Sequence, residues 1–529
     1  MSAEIDFALP SSVDIYDTTL RDGSQQEGIS LTVDDKLKVA EQLDRLGVRF
    51  IEGGWPGANP KDVEFFRRAP KELSFKTATL VAFGSTMRPG ADPSKDETLK
   101  NMLDSETEAV CMVAKSWDYH VTEALRTTLD EALRMAEESV KYLVDRGRRV
   151  FFDAEHFFDG YKNNPEFALK VLRAAENGGA STLVLCDTNG GTLPYQVSKV
   201  VSTVKATTDL QIGVHFHNDS GCATANALTS VELGATHVQG CINGYGERTG
   251  NTDLSVTIPN LSLKMGVDTI PRERISLITS VSRHVAEVIN IATDPQKPYV
   301  GASSFTHKAG LHVSAIARRK DAYEHIAPET VGNGTRFVVS EMAGRSTVAI
   351  KASELGIDID KDQIAVVLDH LKVLEHQGYH FETADGSLEL LLRRATGWEQ
   401  KYFEVESFRV INDCRADGEP NTEATVKLWV NGTRVVDTAE GNGPVNALDG
   451  ALRKGLAQDY PGLSGVHLTD FKVRVLDSTS GTGAKVRVLI TSSDSNGQWT
   501  TIGVSSNVID ASWQALQDSI VVGLLRSEA

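Results

Sequence analysis

The first half of the sequence predicts an α/β fold of the TIM type, a (β/α)₈ barrel. Short β-rich runs alternate with longer helical patterns from Val13 to about Met265, which gives eight strand–helix units in roughly 250 residues, the size of such a barrel. Polar side chains also collect where the predicted strands end. A doubly wound open sheet is the alternative, but no Gly-x-Gly-x-x-Gly motif follows the first strand.

The predicted strands are residues 13–16, 49–53, 77–82, 109–113, 150–154, 182–186, 211–216 and 237–242. Helices are predicted between them, among them residues 33–46, 122–146, 165–177 and 221–233. Residues 33–46 carry apolar side chains at close to helical spacing, and Gly47 follows as the expected C-cap.

If the barrel is correct, the active-site residues lie just beyond the C-terminal end of each strand. The sequence places polar groups at those positions: Arg21 and Asp22 after strand 1, Asp153 and Glu155 at the end of strand 5, Thr188 after strand 6, His215 and His217 at the end of strand 7, and Asn251 after strand 8. This convergence predicts one polar site at a single end of the barrel.

Two histidines suggest a metal site at that end. His215 and His217 are two apart on a strand, so both rings point to the same face, which at a barrel mouth is the lumen. Two imidazoles and one carboxylate, with positions left open, suit a divalent ion that also binds substrate. Asp22 is the best third ligand because strands 1 and 7 are near neighbours around a closed barrel. The alternative is one core histidine and one surface histidine.

Composition limits the class of protein. The chain of 529 residues is long enough for two or three domains. Its formal net charge of -18, without a Lys/Arg block, argues against nucleic acid and anionic membrane surfaces as partners. No apolar run approaches the ~20 residues of a membrane span, and residues 1–10 resemble no targeting segment. Five scattered cysteines without a Cys-x-x-Cys motif are typical of reduced thiols in a cytoplasmic protein.

The second half of the sequence divides again. After the barrel, residues 1–270, a helical connector is predicted over residues 271–400, with helices at 274–291 and 363–376. Residues 401–529 are β-rich and contain an internal repeat, in which 407–411 resembles 470–474 and 424–430 resembles 484–490. Helices at 447–456 and 508–524 complete the two copies, and Asn431-Gly432 and Asn496-Gly497 are expected as tight hairpin turns.

Several motifs resemble one known family. The barrel region carries Asp17-Thr-Thr-Leu-Arg-Asp-Gly23, His215-Phe-His217-Asn-Asp219 and Gly244-Tyr-Gly-Glu-Arg-Thr-Gly-Asn251, and Phe305-Thr-His-Lys-Ala-Gly-Leu-His312 and Ala322-Tyr-Glu-His-Ile-Ala-Pro328 follow it. Together they resemble the 2-isopropylmalate, homocitrate and citramalate synthases, a family of metal-dependent Claisen-condensing barrels. The resemblance covers nearly the whole chain. Residues 29–31 and 52–60 are most similar to the citramalate-forming branch.

The resemblance implies an acyltransferase that condenses acetyl-CoA with a small 2-keto acid, pyruvate in the citramalate-forming branch. It implies a divalent metal ion (Mn²⁺, Mg²⁺ or Zn²⁺) with Asp22, His215 and His217 as ligands and Asn251 in or next to the coordination shell. It further implies that Arg21 holds the keto oxygen and Thr188 the carboxylate of the keto acid. Acid–base catalysis is assigned to Glu155, His312 and Tyr323. In the family, His312 and Tyr323 can come from the partner subunit, so a homodimer is expected.

The chemistry of these residue types supports the implied roles. A 2-keto acid chelates a divalent ion, which polarises its carbonyl, and Arg21 adds positive charge where alkoxide charge develops. The thioester methyl is a weak carbon acid and needs a base. Glu155 follows Phe151-Phe152, so an apolar mouth would raise its pKa, while the imidazole of His312 titrates near neutrality. Which of the two takes the proton stays open. The alternatives are a rim salt bridge for Glu155 and a packing role for His312 and Tyr323.

The identity of the acceptor is less constrained. Asp153 shares the lumen face with Glu155, and it is expected either to line the pocket for the side chain of the keto acid or to help organise the metal site. An acid there disfavours a large apolar substituent, which favours pyruvate unless Asp153 is paired with an arginine. The nearest rival is 2-ketoisovalerate as acceptor, which gives 2-isopropylmalate. A metal-dependent lyase or aldolase on the same barrel is a rival of another class. A non-enzymatic amino-acid sensor is a third possibility, and an intact metal triad argues against it.

The C-terminal repeat contains no cluster of titratable residues, so catalysis is not expected there. In the family this position holds the regulatory domain, which binds the amino acid at the end of the pathway. That amino acid would be isoleucine for a citramalate-forming enzyme and leucine for the rival. The segment from Gly441 to Val445 opens a helix, and helix N-termini attract carboxylates, so the effector is expected near it. The alternative is a dimerisation module without a ligand.

Overall fold

The computed structural model describes residues 9–340, 342–414 and 420–528. The chain divides into two compact units. The first contains the chain up to Phe305 and also Ile326–Gly334, and the second contains Thr306–His325 and the chain from Thr335 onward. Residues 1–8, most of the segment for which no targeting function was expected, lie outside the described residues.

The first unit is built on a closed barrel of eight parallel strands, each hydrogen-bonded to the next in chain order. The strands are β1 (Asp14–Asp17), β2 (Phe50–Gly54), β3 (Thr79–Ser85), β4 (Ala109–Lys115), β5 (Arg149–Glu155), β6 (Thr182–Asp187), β7 (Gln211–Phe216) and β8 (His237–Gly240). The pairing of β1 with β8 closes the ring. The predicted (β/α)₈ barrel is therefore confirmed, and the open-sheet alternative is wrong.

Helices alternate with these strands: α1 (Val33–Leu46), α2 (Pro60–Glu72), α3 (Glu97–Asp104), α4 (Asp118–Glu123), α5 (Leu129–Val144), α6 (Phe157–Asn163), α7 (Pro165–Gly178), α8 (Pro194–Lys205) and α9 (Ala223–Glu232). Two further helices, α10 (Leu254–Pro259) and α11 (Ile278–Ile289), follow β8, and α11 packs against α1. The domain boundaries at 270 and 400 stay predictions.

The helix predicted over residues 33–46 has those limits in the structure, because both of its ends are encoded locally. Thr32 and Asp35 form a reciprocal capping box at the start. Gly47 ends the helix in the left-handed conformation with φ of 100°, as expected for a C-cap glycine.

Other predicted limits need correction. The helix predicted over residues 122–146 is two helices, because the Thr128 side chain accepts a hydrogen bond from the Glu131 backbone and starts α5 anew. The strand predicted to reach residue 242 ends at Gly240, since the chain turns into a 3₁₀ helix at Ile242–Gly244. The helix predicted over 274–291 is α11, which is preceded by a 3₁₀ segment, Arg272–Leu277, and closed by Asn290.

The lower part of the barrel interior is filled with aromatic rings. Tyr16, Phe50 and Phe151 are buried, with ring centroids 4.8 Å apart for Phe50 and Phe151 and 5.4 Å apart for Tyr16 and Phe151. His237 stacks on Phe151 at 5.1 Å. This layer closes the lumen below the mouth, so the polar residues above it line a blind cavity rather than a channel.

The second unit begins with small elements. They are the parallel pair β9 (Thr306–His307) and β10 (Arg336–Phe337) and the helices α12 (Gly310–Arg318), α13 (Arg345–Glu354), α14 (Lys361–Gln377) and α15 (Asp385–Ala395). The helix predicted over residues 363–376 is therefore present as α14, one residue longer at its C-terminal end and two longer at its start.

The C-terminal part confirms the predicted repeat, since one pattern of three antiparallel strands and a helix occurs twice. The first copy comprises β11 (Glu404–Cys414), β12 (Pro420–Val430), β13 (Thr433–Gly441) and α16 (Pro444–Leu456), and the second comprises β14 (His467–Val475), β15 (Val486–Asp494), β16 (Gly497–Ser505) and α17 (Val508–Glu528). Helix α16 packs on β12 and β13, and α17 packs on β15 and β16.

The two hairpin turns differ by one residue in where the turn lies relative to the Asn-Gly pair. Asn431-Gly432 joins β12 to β13 with φ of 48° and 77°, as predicted. The second turn was expected at Asn496-Gly497, but Asp494 pairs with Gly497, so the turn residues are Ser495 and Asn496. The Asp494 carboxylate accepts hydrogen bonds from the backbone of Asn496 and Gly497, which moves the turn.

Across the described residues, every helix is too short or too polar to traverse a lipid bilayer.

Candidate active site

The predicted metal ligands lie together at the C-terminal end of the barrel. Asp22, His215 and His217 are buried, and their ligand atoms all lie within 4.8 Å of one another. The Nε2 atoms of His215 and His217 lie 3.1 Å and 3.9 Å from Oδ2 of Asp22. The arrangement matches two imidazoles and one carboxylate around a divalent ion.

Asn251 is the fourth predicted member of this group. It lies opposite His217 in an antiparallel bridge and donates from Nδ2 to the carbonyl of Tyr245 at 3.0 Å. Its Oδ1 is buried and has no hydrogen-bond partner among the described residues. An unsatisfied buried oxygen on a residue that pairs with His217 fits a role in or near the coordination shell, because such a group otherwise costs stability.

The electrostatics of the group favour the metal-binding protonation states of Asp22 and His217, whereas Asp22 favours the protonated form of His215. Burial opposes the charge of the Asp22 carboxyl, but Arg21 and His215 outweigh it and hold its pKa well below the usual range. Burial also opposes the charge of His215, and the hydrogen bond and charge of Asp22 nevertheless raise its pKa. Burial and the nearby charge of His215 lower the pKa of His217 to about 4. At neutral pH Asp22 is therefore an anion and His217 a neutral imidazole, the forms that bind metal ions.

The loop after β1 is held in place by Asp17. The Asp17 carboxylate accepts hydrogen bonds from the backbone N of Thr19 at 2.8 Å and from Ile242 at 3.2 Å, which ties the loop to the segment after β8. Burial raises the pKa of Asp17 to about 7 against these hydrogen bonds. The loop that carries Arg21 and Asp22 is thus held by a buried polar anchor, together with the apolar packing of Leu20.

Arg21 is oriented by three contacts. Its Nε donates to Oε2 of Glu52 at 2.5 Å, its Nη1 lies 3.6 Å from Oδ2 of Asp22, and its guanidinium lies 3.9 Å above the ring of Phe83. Glu52 also accepts from the hydroxyl of Tyr16 at 2.8 Å. Sequence reasoning gave Glu52 no role, although a carboxylate inside a predicted apolar strand requires a partner.

A second buried residue escaped the sequence analysis. Gln239 on β8 bridges two predicted site residues: its Oε1 lies 2.8 Å from Nδ1 of His215, and its Nε2 donates to Oδ1 of Asp153 at 2.9 Å. Burial raises the pKa of Asp153 to about 6. Among the described residues, Asp153 is thus hydrogen-bonded by Gln239 and by the thiol of Cys111, rather than paired with an arginine.

The predicted environment of Glu155 is wrong in one respect. Its carboxylate forms an ion pair with Lys115, its register partner on β4, so it does not lie in a purely apolar mouth. The rings of Phe151 and Phe152 are fully buried in the barrel and leave the rim to charged groups. Glu155 therefore takes part in an ion pair at the rim, which is the alternative that the sequence left open.

Thr188 lies on the same rim. Its Oγ1 accepts from the backbone N of His156 at 2.9 Å, and its carbonyl accepts from Nη2 of Arg248 at 2.7 Å. Arg248 also donates to both carboxylate oxygens of Asp219, so it links the loops after β6, β7 and β8. Sequence reasoning did not assign this positioning role to Arg248.

One cavity of about 500 Å³ contains most of the predicted residues of the barrel: Arg21, Asp22, Asp153, Glu155, Thr188, His215 and His217. The cavity is large enough for a small keto acid and the end of a thioester. Trp55, Phe83, Val113 and Cys186 supply its apolar walls.

His312 and Tyr323 belong to the second unit. Their rings stack on each other with centroids 4.1 Å apart and an interplanar angle of 22°. Tyr323 is 49% exposed, which does not suit a core packing residue. The two residues predicted for acid–base work are therefore adjacent and accessible within their own unit.

Three family models match the sequence, in the order of its segments. They are HMGL-like over residues 12–285, homocitrate synthase post-HMGL domain-like over 299–379, and LeuA allosteric (dimerisation) domain over 382–523.

Full-length relatives match as well. The chain is 54% identical to the (R)-citramalate synthase of Streptomyces coelicolor over 522 residues, 98% of each protein. It is 51% identical to the (R)-citramalate synthase of Aquifex aeolicus over 524 residues, 98% of this chain and 99% of that one. The chain belongs to the (R)-citramalate synthase family. The resemblance seen in the motifs is thereby confirmed, as is the expectation of an acyltransferase.

Within the (R)-citramalate synthase family, this chain shows a barrel-mouth site with a complete Asp-His-His triad. The triad satisfies the ligand requirements of a divalent metal but does not select among Mn²⁺, Mg²⁺ and Zn²⁺.

Proposed function

We propose that this protein condenses acetyl-CoA with pyruvate and water to give (R)-citramalate and CoA, a step toward isoleucine that does not start from threonine. The observation that carries the proposal is the buried triad of Asp22, His215 and His217 with Arg21 beside it at a barrel mouth. The identity of 54% to an (R)-citramalate synthase supports the choice of substrates.

The residues divide the work of holding the acceptor. Asp22, His215, His217 and Asn251 would hold a divalent metal ion, which acts as a Lewis acid toward the keto carbonyl when it is bound. Arg21, with Nε held by Glu52, would donate from its outer nitrogens to the keto oxygen as negative charge develops there. The Thr188 hydroxyl lines the same cavity and would donate to the keto-acid carboxylate.

The condensation needs a base at the other substrate. Glu155 or His312 removes a proton from the methyl group of acetyl-CoA, and the resulting carbanion forms a bond to the carbonyl carbon of pyruvate. The keto oxygen gains a proton, and water then cleaves the thioester to release CoA. Lys115 forms an ion pair with Glu155 and would hold its carboxylate in place at the rim. Tyr323, stacked on His312, would take part in the proton transfers with it.

The base can be identified by exchange. In D₂O with a non-reacting pyruvate analogue, the base exchanges the methyl protons of acetyl-CoA, and this is followed by NMR. Loss of exchange in Glu155→Gln with exchange retained in His312→Asn assigns the base to Glu155, and the reverse result assigns it to His312.

The decisive test of the proposed function is CoA release from acetyl-CoA with a panel of 2-keto acids. Pyruvate should give the highest kcat/KM, because the acidic group of Asp153 in the cavity disfavours a branched apolar substituent. A higher kcat/KM with 2-ketoisovalerate would replace the assignment with 2-isopropylmalate synthesis. Cleavage of citramalyl compounds without condensation would favour a lyase.

We also propose isoleucine as an effector and a homodimer as the working state. A cavity of about 910 Å³ between α16 and the start of β14 is lined by Val445, Arg453, Tyr460 and Phe471. It begins beside the helix N-terminus at Pro444, where an amino-acid carboxylate would be stabilised.

Apolar side chains on β14 are exposed, with Val473 at 46%, which supports a second subunit that covers them. Calorimetric titration of the full chain with isoleucine and with leucine tests the effector, and sedimentation tests the dimer.

The proposed location is the cytoplasm. Cys111, Cys186 and Cys241 are free and buried, as expected in a reducing compartment. Fractionation of cells expressing the protein tests this.

A further inference from the structure

Gln239 occupies an unusual position for an uncharged side chain. It is buried on β8, and it spans the lumen between Asp153 on β5 and His215 on β7. Neither of its neighbours is a backbone group, so the amide does not serve the strand pairing. Its contacts join one proposed metal ligand to an acid deeper in the cavity.

The two contacts fix the orientation of the amide. A glutamine side chain has one donor end and one acceptor end. Its NH₂ group donates to Oδ1 of Asp153 at 2.9 Å, which leaves the oxygen for His215. The oxygen lies 2.8 Å from Nδ1 of His215 and can only accept, so Nδ1 must carry a hydrogen. The other ring nitrogen, Nε2, faces Asp22 at 3.1 Å and is the one left to bind a metal ion.

We infer that Gln239 is a positioning residue for the metal site: it fixes the tautomer and ring orientation of His215 through a hydrogen-bond chain anchored on Asp153. This inference rests on the metal site of the proposed function. A histidine ligand whose second nitrogen is held by a hydrogen bond binds metal more tightly, and losing that partner typically weakens affinity by about 10–100-fold. The glutamine touches neither substrate nor metal, so its effect passes through His215.

The chain offers a matched control in Gln211, the first residue of β7. Gln211 is four residues before His215 on the same strand. It also links strands, because its Nε2 donates to Asp14 on β1 at 3.1 Å and its Oε1 accepts from Thr182 on β6 at 2.7 Å. It lies at the opposite end of the strand from the ligands. Gln211→Leu therefore removes comparable hydrogen bonds without touching the metal site.

The experiment titrates metal-free full-length protein with Co²⁺ by calorimetry and by the visible absorption of the bound ion. Wild type, Gln239→Leu, Gln239→Glu and Gln211→Leu are compared, and melting of each metal-free protein checks that it is folded. Gln239→Leu should bind Co²⁺ about 10–100-fold more weakly. Gln239→Glu retains an acceptor for Nδ1 but loses the donor to Asp153, so its affinity should lie between those of wild type and Gln239→Leu. Gln211→Leu should stay within about threefold of wild type.

Activity supplies a second readout. The turnover of Gln239→Leu should recover as the metal concentration rises, because the substitution weakens metal binding through His215. Wild-type affinity in Gln239→Leu would overturn the inference, and so would equal weakening in Gln239→Leu, Gln239→Glu and Gln211→Leu. Absence of metal binding by wild type would overturn both the inference and the metal site, whereas metal binding without condensation of pyruvate would overturn the proposed function alone.

Discussion

Arg21→Lys separates the contribution of a planar fork from that of a positive charge. In the structure the guanidinium does two things at once: Nε is held by Glu52 at 2.5 Å, and Nη1 reaches toward Asp22 at 3.6 Å. A lysine ammonium is a single point and cannot hold Glu52 while it also donates to the keto oxygen. The charge survives the substitution, but the geometry does not.

The magnitude follows from the role of the donor. Removal of one preorganised donor at a developing oxyanion typically lowers kcat by about 10²–10³-fold, or ~2.7–4 kcal/mol. Arg21→Lys should fall in this range at saturating metal and substrates. Metal affinity should change by only a few-fold, because Asp22 keeps a cation beside it and the three ligands are untouched. Part of the loss will also reflect poorer packing on Phe83, which lies 3.9 Å below the guanidinium.

The assay combines steady-state CoA release with calorimetric metal titration. Arg67→Lys is the matched control, since Arg67 also makes a forked pair, with Glu64, but on an exposed helix surface with 60% of its side chain accessible. It should behave as wild type. A kcat for Arg21→Lys within about threefold of wild type would refute the fork argument. A loss of bound metal in proportion to the loss of rate would show that Arg21 supports the ligands instead.

Three further outcomes are expected. Asp22→Ala and His217→Ala should each abolish condensation and lower the metal content measured after dialysis, and full metal content with near-normal turnover in Asp22→Ala would contradict the triad. Burial first, and then the charge of Arg149, lower the pKa of His237 to about 3. His237 therefore binds its proton in the unfolded chain before it does so in the folded one. The free energy of unfolding that is present above pH ~6.5 is therefore lost as the pH falls toward 3, by about 2 kcal/mol between pH 7 and 5. The free energy of unfolding of His237→Phe, measured by urea unfolding, should lack this part of the pH dependence. Isoleucine should inhibit the full chain with a coupling of ~1–3 kcal/mol, whereas leucine should not; the reverse preference would favour the rival pathway.

The barrel could be predicted from sequence because its signals are local. Helix α1 shows this most clearly, since Thr32, Asp35 and Gly47 encode both ends within a few residues. Where a cap lies inside a continuous amphipathic pattern, as Thr128 does, the periodicity hides the break, and two helices are predicted as one. The predicted limits of a strand or helix are wrong where its end depends on tertiary contacts, as at the end of β8.

The barrel topology predicts which residues lie in the site, but it does not predict which of them form hydrogen bonds or ion pairs with one another. The rule that functional groups follow the strands brought Asp22, His215 and His217 together before any distance was known. The ion pair of Lys115 with Glu155 depends on the register between β4 and β5, which no local pattern specifies. Glu52 and Gln239 lie within strands rather than after them, so a rule based on strand ends passes over both.

The charge balance of the cavity suggests what binds first. The cavity is lined by four basic and four acidic side chains: Arg21, Arg88, Lys115 and Arg248 against Asp22, Asp153, Glu155 and Glu247. These formal charges are equal in number, and the whole chain has a net charge of -18, so the side chains alone give an anionic keto acid little net attraction at the mouth. A divalent ion on the triad turns the local balance positive. The keto acid should therefore depend on prior metal binding for its affinity as well as for its reactivity, whereas the apolar walls can accept the thioester end of acetyl-CoA without it.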